Sequence, residues 1–484
     1  MVFSTIIFLL RFLPITLALY YLAPPKLKNT VLFLCSLVFY CWGEVRFFPV
    51  MLALILINYL CGLGLERFEQ NKTARLILLL IALAGSLGML FYFKYANFVL
   101  SSINAIFGTG FAPIQGISVL PLGISFYTFQ TLSYTIDVYR RDVETEHNII
   151  DFGAYVVMFP QLIAGPIVKY RDVSDRLHVY KGRYELKQIE DGMTLFTFGL
   201  AKKVLLADAI GALWTDIIGV ADSPSVSFVG LANASTPLVW LGVIAYSLQL
   251  YFDFSGYSLM GIGMGRMLGF DFPQNFNYPY ISASITEFWR RWHMTLSGWF
   301  REYVYIPLGG NRCSRARNIL NLFLVWALTG LWHGANWTFI AWGLWFFVLL
   351  IGEKFLWGKA LSRLPSLLQH VYAMLLVILS WVLFRADDIG AALCYMAAMF
   401  GRAPALCDSR AVYYALEFWP ELLLCCIAAL PVKNLLETAL EKRNSKLSRG
   451  ILIVGPKLAS LALLALSYCR LITGSFNPFI YFRF

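Results

Sequence analysis

Histidine is the side chain through which this sequence can do chemistry near neutral pH, and 484 residues hold only five of them: His147, His178, His293, His333 and His370. His333 stands in Leu331-Trp332-His333-Gly334-Ala335-Asn336-Trp337, at the turn of an apolar hairpin with no acid nearby in sequence. An ionisable group inside a membrane bundle is costly to place, so a functional role is its default reading. A neutral imidazole can take a proton near pH 7 and return it, and Gly334 with Ala335 leaves room for a substrate to approach. The plain alternative is a core histidine hydrogen-bonded to a neighbouring carbonyl.

His293 lies in Glu287-Phe288-Trp289-Arg290-Arg291-Trp292-His293-Met294-Thr295-Leu296-Ser297-Gly298-Trp299-Phe300-Arg301. The spacing of Trp289, Trp292, Leu296 and Trp299 predicts one helical face, with Glu287 and Arg291 paired at i,i+4. Such a helix would lie in or dip below the cytoplasmic interface, as a plain anchor or as part of a site. In the second case Arg290, Arg291 and Arg301, with Asn311 and Arg312 from the loop Pro307-Leu308-Gly309-Gly310-Asn311-Arg312, would receive a phosphorylated carrier such as coenzyme A. Arginine forks match phosphate oxygens, and paired glycines expose backbone donors.

Three further features bear on chemistry. The ending Asn477-Pro478-Phe479-Ile480-Tyr481-Phe482-Arg483-Phe484 is either an aromatic belt anchor or a tail that can reinsert and offer the Tyr481 phenol to an acyl group. Asp137 and Asp253 fall at or near the ends of apolar runs, where Arg140 or Arg266 could neutralise them. Gly261-Ile262-Gly263-Met264-Gly265 follows an apolar span and not a Rossmann strand, so it predicts close helix packing in place of a dinucleotide loop.

The elements that must position these residues are membrane spans. The chain is 59% hydrophobic and 14% charged, against about 25% charged for a soluble domain. Apolar runs long enough to cross roughly 30 Å of hydrocarbon recur throughout, and backbone groups in lipid must pair within a helix. Candidate spans cover residues 4–22, 30–41, 48–63, 76–91, 116–136, 152–168, 193–220, 238–268, 319–331, 337–351, 370–384, 412–430 and 451–472. Some are short or broken, so about ten to thirteen crossings are expected, re-entrant pieces included. The first span lacks a basic n-region and a small-residue cleavage site and reads as retained.

The net charge of +11 sits in short loops, which points to membrane topology and not to nucleic acid. Basic loops 169–187, 290–317 and 433–449 orient the bundle with those loops in the cytoplasm. Counting forward, the hairpin 319–351 returns at Lys354 and Lys359, which puts its His333 turn deep in the membrane or beyond it. The last span then leaves residues 473–484 on the non-cytoplasmic side. Lys26, Lys28, Arg67 and Lys72 agree with this orientation if residue 1 starts outside. The nine cysteines lie mostly within apolar runs without C-x-x-C spacing, so they read as small core residues, with neither zinc nor disulfides implied. Nothing in composition separates a second domain.

At several of these segments the chain resembles the bacterial, alginate O-acetyltransferase branch of the membrane-bound O-acyltransferase (MBOAT) superfamily. The likeness runs from Tyr251-Phe252-Asp253-Phe254-Ser255-Gly256-Tyr257 through Phe272-Pro273-Gln274-Asn275-Phe276 and Glu287-Phe288-Trp289-Arg290-Arg291-Trp292-His293 to the Pro307 loop and Leu331-Trp332-His333-Gly334. Earlier segments of the same kind are Pro121-Leu122-Gly123-Ile124-Ser125-Phe126-Tyr127-Thr128-Phe129-Gln130 and Phe159-Pro160-Gln161-Leu162-Ile163-Ala164-Gly165-Pro166-Ile167.

The resemblance implies an all-α integral membrane protein, a single polytopic bundle over residues 1–484 with a central funnel and re-entrant or interfacial helices. It implies a bacterial inner-membrane enzyme that uses acetyl-CoA, with His333 catalytic, His293 second, and no metal. It also implies membrane lipids around it, an extracytoplasmic polysaccharide acceptor such as alginate or peptidoglycan, and an exported partner of the SGNH-hydrolase type. The tail resembles a C-terminal acyl-transfer motif of such systems, which would make Tyr481 a transient acetyl carrier. Rival readings are D-alanyl transfer from a carrier protein, a glycan transporter, and a scaffold for a glycan-modifying complex.

Overall fold

A computed structural model of the protein describes residues 2–117, 119–179, 185–219, 228–443, 445–474 and 479. Every regular element among the described residues is helical, with one isolated bridge between Ser235 and Ala405. The chain forms two compact units, Met1–Phe196 with Ser258–Gln274, and Thr197–Tyr257 with Asn275–Phe484.

Six helices among the described residues are long and apolar enough to span a membrane: Phe48–Arg67, Lys72–Phe107, Thr236–Met267, Trp337–Phe355, Ser366–Arg385 and Leu447–Thr473. A seventh results if Ser409–Glu417 and Trp419–Ala428, bent by 61°, act as one span, and Phe8–Leu22 and Ile389–Arg402 are shorter apolar helices. This is fewer than the thirteen apolar runs of the sequence. Segment 152–168 shows one cause: it breaks into Ile149–Val157, Phe159–Leu162 and an irregular stretch, and nearly all of it is buried. Such a run is apolar because protein surrounds it, and irregular backbone is tolerated at that depth only under such cover.

In the first unit, buried polar side chains tie helices together. Asn58 on Phe48–Arg67 donates to Ser86 Oγ at 2.9 Å and accepts from Thr135 Oγ1 at 2.8 Å, linking three helices. Glu146, Asp151 and His178 meet in one place. There Glu146 accepts from the Tyr170 hydroxyl at 2.7 Å and lies 3.0 Å from His178 Nε2, while Asp151 accepts from Asn29 and Asn148. The glycine run packs as expected. A methyl on Gly261 would lie 2.6 Å from the Pro160 carbonyl, and one on Gly263 would lie 2.6 Å from that of Gly192.

In the second unit, Arg315–His333 and Trp337–Phe355 form the hairpin that the sequence predicts, with His333 at the turn. A methyl on Gly330 or Gly343 would run into the carbonyl oxygen of Phe339 or Trp326 on the facing helix. The hairpin therefore closes backbone to backbone, as small residues permit in membrane bundles. The free cysteines depart from a uniform core role: Cys61 and Cys425 are buried, but Cys394, Cys426 and Cys469 are exposed on helix surfaces and Cys407 is exposed between helices.

Candidate active site

His333 is the last residue of its helix, and Gly334 leaves it in extended backbone. Asn336 fixes the turn from both sides, since its Oδ1 accepts from the Thr338 N–H at 3.1 Å and its Nδ2 donates to the Asp387 carbonyl at 2.7 Å. The imidazole is 4% exposed. Three rings stand edge-on around it, with centroids at 5.0 Å (Trp332), 4.9 Å (Trp342) and 5.2 Å (Phe384).

His293 is built differently from the expectation of one helix along 287–301. Two short helices, Ile285–Arg291 and Met294–Phe300, break at Trp292 and His293, and His293 takes a left-handed φ of 43°. The break has a local cause. Ser284 caps the first helix, and Glu353 clamps its start by accepting from the Ile285 and Thr286 N–H groups and the Thr286 hydroxyl. Asn275 then draws the chain out of the helix: its carbonyl accepts from the Met294 N–H at 2.9 Å. The tryptophans that suggested an interfacial face, Trp289, Trp292 and Trp299, are buried in protein instead. The Glu287–Arg291 pair stands as expected, at 2.9 Å.

The side chain of Asn275 also fixes the tautomer of His293. Asn275 Oδ1 accepts from the Thr295 N–H at 3.3 Å and the Thr295 hydroxyl at 2.9 Å, so it is the amide oxygen that faces His293 Nδ1 at 3.0 Å. An oxygen accepts, so Nδ1 carries the hydrogen and Nε2 keeps its lone pair. Nε2 is buried with no hydrogen-bond partner among the described residues. Burial pushes the imidazole down to about 3, which holds it neutral through the physiological range.

One tryptophan joins the two histidines. The Trp332 ring lies 6.0 Å from His293 and 5.0 Å from His333. On the other side Phe254 stands edge-on to His293 at 4.8 Å. The C-terminal tail reaches this cluster, since Phe479 is fully buried, stacks on Tyr257 at 4.4 Å and lies 6.0 Å from Phe254. Tyr481, two residues on, lies outside the described residues.

The carrier-binding candidates are dispersed. Arg291 is held by Glu287 and the Asn277 carbonyl, and Asn311 accepts from Tyr305 at 2.7 Å and Lys354 at 2.6 Å. Arg290 and Arg312 are exposed. Of the five, Arg301 lines an apolar cavity of about 170 Å³ whose walls include Trp289, Phe300, Tyr305, Trp326 and Thr329. Thr329 sits one turn before His333 on the same helix.

The acid–base pairing read from sequence needs one correction. The cation beside Asp253 is not Arg266, which lies near Asp191 and Asp271, but Lys203, at 2.9 Å. Asp253 and Arg266 share one continuous helix, and their spacing along it amounts to about 20 Å of rise. Lys203 also holds Asp208 at 2.6 Å. Sequence reasoning missed Lys203, Asp208 and the role of Asn275. The signal available was the pair Lys202-Lys203 with Asp208 inside the apolar run 193–220.

The pattern that defines MBOAT, the membrane-bound O-acyltransferase family, matches residues 138–396. Across its whole length the chain is 40% identical to the full length of the probable alginate O-acetylase AlgI of Azotobacter vinelandii. It is 45% identical to the AlgI of Pseudomonas aeruginosa over 83% of this chain and 75% of that protein. With the peptidoglycan O-acetyltransferase of Helicobacter pylori the identity is 34%, over 83% of this chain and 80% of that one.

Proposed function

This chain belongs to the membrane-bound O-acyltransferase family, and we propose that it moves acetyl groups from cytoplasmic acetyl-coenzyme A to an extracytoplasmic polysaccharide such as alginate or peptidoglycan. It is a multi-pass membrane acyltransferase that acts on an acyl donor. The names of its relatives support the acetyl group and the glycan. The observation that carries the reading is the joining of His333 and His293 through Trp332, with the buried tail residue Phe479 against Phe254 beside them.

In this reading His333 takes the proton from an acceptor hydroxyl, which attacks the thioester carbonyl. His293, neutral and with its Nε2 open, assists as a second acceptor of a proton or hydrogen bond. Enclosure among aromatic rings limits water and so limits loss of the thioester to hydrolysis. Arg301, at the wall of the apolar cavity, is the best placed of the basic candidates for the carrier's phosphates; Arg290, Arg291, Asn311 and Arg312 border the same stretch of chain. Tyr481 receives the acetyl group transiently and hands it to an exported SGNH-hydrolase-type partner, which esterifies the polymer. The burial of Phe479 against Tyr257 and Phe254 supports this, because Phe254 in turn stands against His293 and Phe479 is two positions before Tyr481 in the sequence.

His333→Ala should abolish polymer acetylation, a loss of about 100- to 10,000-fold for a general base, while the protein still inserts and folds. Normal acetyl content in that strain would end the proposal. Tyr481→Phe removes only the hydroxyl, and retained transfer would return the tail to an anchoring role.

A further inference from the structure

The hairpin helix Trp337–Phe355 carries an indole that, like Trp289 and unlike three others of the same unit, is buried with no hydrogen-bond partner among the described residues. Trp240, Trp345 and Trp357 donate their N–H to the Met399 carbonyl, the Leu376 carbonyl and the Tyr372 hydroxyl. Trp342 is 1% exposed, yet its Nε1 has no hydrogen-bond partner among the described residues. A buried donor left open forfeits hydrogen bonds it would make in water, so its persistence calls for an explanation. The ring stands 4.9 Å from His333 at 82°, and it is wedged by Phe346, Phe384 and Trp289 at 5.2, 5.2 and 5.7 Å. One turn earlier on the same face, the Thr338 hydroxyl is also buried without a hydrogen-bond partner among the described residues.

We propose that Trp342 is a catalytic residue whose indole N–H donates to the acyl carbonyl oxygen as that oxygen becomes negative. The inference rests on His333 acting as the base at this site. The acceptor oxygen bonds to the acyl carbon while its proton passes to His333, and the carbonyl π pair moves onto the oxygen held by the indole. Collapse of the tetrahedral species reforms the C=O bond and breaks the C–S bond. The imidazolium returns its proton to the departing thiolate, leaving an oxygen ester and a thiol with no net redox change. A donor fixed beforehand among packed rings, away from water, is where such stabilisation is strongest, because nothing reorganises when the charge appears.

The test uses membranes holding the full-length protein, radiolabelled acetyl-coenzyme A, and ester formation as the readout. Trp342→Phe, which keeps a ring and removes the N–H, should lower kcat by about 100-fold with the donor KM unchanged. The pH profile should stay where it was, since an indole does not titrate. Should the smaller ring loosen the fold, β-(3-benzothienyl)alanine placed at position 342 keeps the bulk, replaces N–H by sulfur, and should show the same loss. Full kcat in the sulfur isostere overturns the inference. His333→Ala in parallel separates the two levels: inactive His333→Ala beside a fully active position-342 variant removes Trp342 alone, whereas active His333→Ala removes both.

Discussion

Two buried polar clusters in the unit formed by Thr197–Tyr257 and Asn275–Phe484 invite comparison. At one, Lys203 lies between Asp208 and Asp253, and opposite charges meet at 2.6 and 2.9 Å. At the other, His293 Nε2 and the indoles of Trp289 and Trp342 are buried without hydrogen-bond partners among the described residues. The first cluster offsets much of the cost of burial internally, by setting a cation between two carboxylates. The second uses neutral groups, whose burial costs less, and leaves acceptor and donor positions open to a substrate. Both clusters are hidden from sequence composition, and in the proposed reading they serve different ends: the ion group holds helices, and the neutral donors and acceptors meet a substrate.

The sharpest way to break this contrast is to spoil the ion cluster. Lys203→Met leaves two carboxylates without their cation and should cost about 3 to 5 kcal/mol, read as loss of monodisperse protein after detergent extraction. Adding Asp208→Asn and Asp253→Asn should restore most of the folded yield. If the lysine variant alone is as stable as the parent, the cluster is not structural.

A smaller effect is expected from the residue that orients His293. Asn275→Ala removes the acceptor of the Nδ1 hydrogen and should lower kcat by about 10- to 100-fold, the range for losing an orienting partner of a metal-bound histidine. Asn275→Asp keeps an accepting oxygen and should recover much of that loss. Its negative charge favours the imidazolium, so the basic form should need a higher pH and the activity profile should move upward. Loss of protein without change in specific activity would reduce Asn275 to a packing role.

The smallest effect concerns acid stability. Burial lowers the His293 imidazole from its ordinary 6.5 to about 3. Above 6.5 both folded and unfolded forms are neutral, and there is no difference. As pH falls from 6.5 toward 3 the unfolded chain binds a proton that the folded one refuses, so stability is lost across that window. His293→Gln should flatten the fall of Tm between pH 6.5 and 4 relative to the parent. Parallel curves would mean that the imidazole is hydrated in the folded protein.

Much of this arrangement could be read from local pattern. Leu331-Trp332-His333-Gly334 between two apolar runs predicted a hairpin with His333 at its turn, and it is there. Glu287 and Arg291 predicted their own pair, and the glycines from Gly261 predicted tight packing. For the hairpin and the ion pair the partners lie within a few helical turns, where the 3.6-residue period fixes which side chains meet; the glycines signalled close approach, but not that Pro160 and Gly192 would be what they meet. Residues 287–301 failed the same reasoning because their periodicity was sound but a competing bond came from outside the window. Asn275, 18 residues upstream, binds His293 and breaks the helix that the tryptophans suggested.

What the sequence by itself determined is the class of molecule: apolar runs demand helices in lipid, and the histidine motifs mark the family. Only the tertiary structure decided that Lys203 answers Asp253, that Trp332 joins His293 to His333, that Phe479 closes on Tyr257, and that the Trp342 N–H meets no acceptor among the described residues. The physical reason is that burial, pairing and an unfilled hydrogen bond are properties of all the neighbours at once. Those neighbours come from distant stretches of chain that no local pattern brings together.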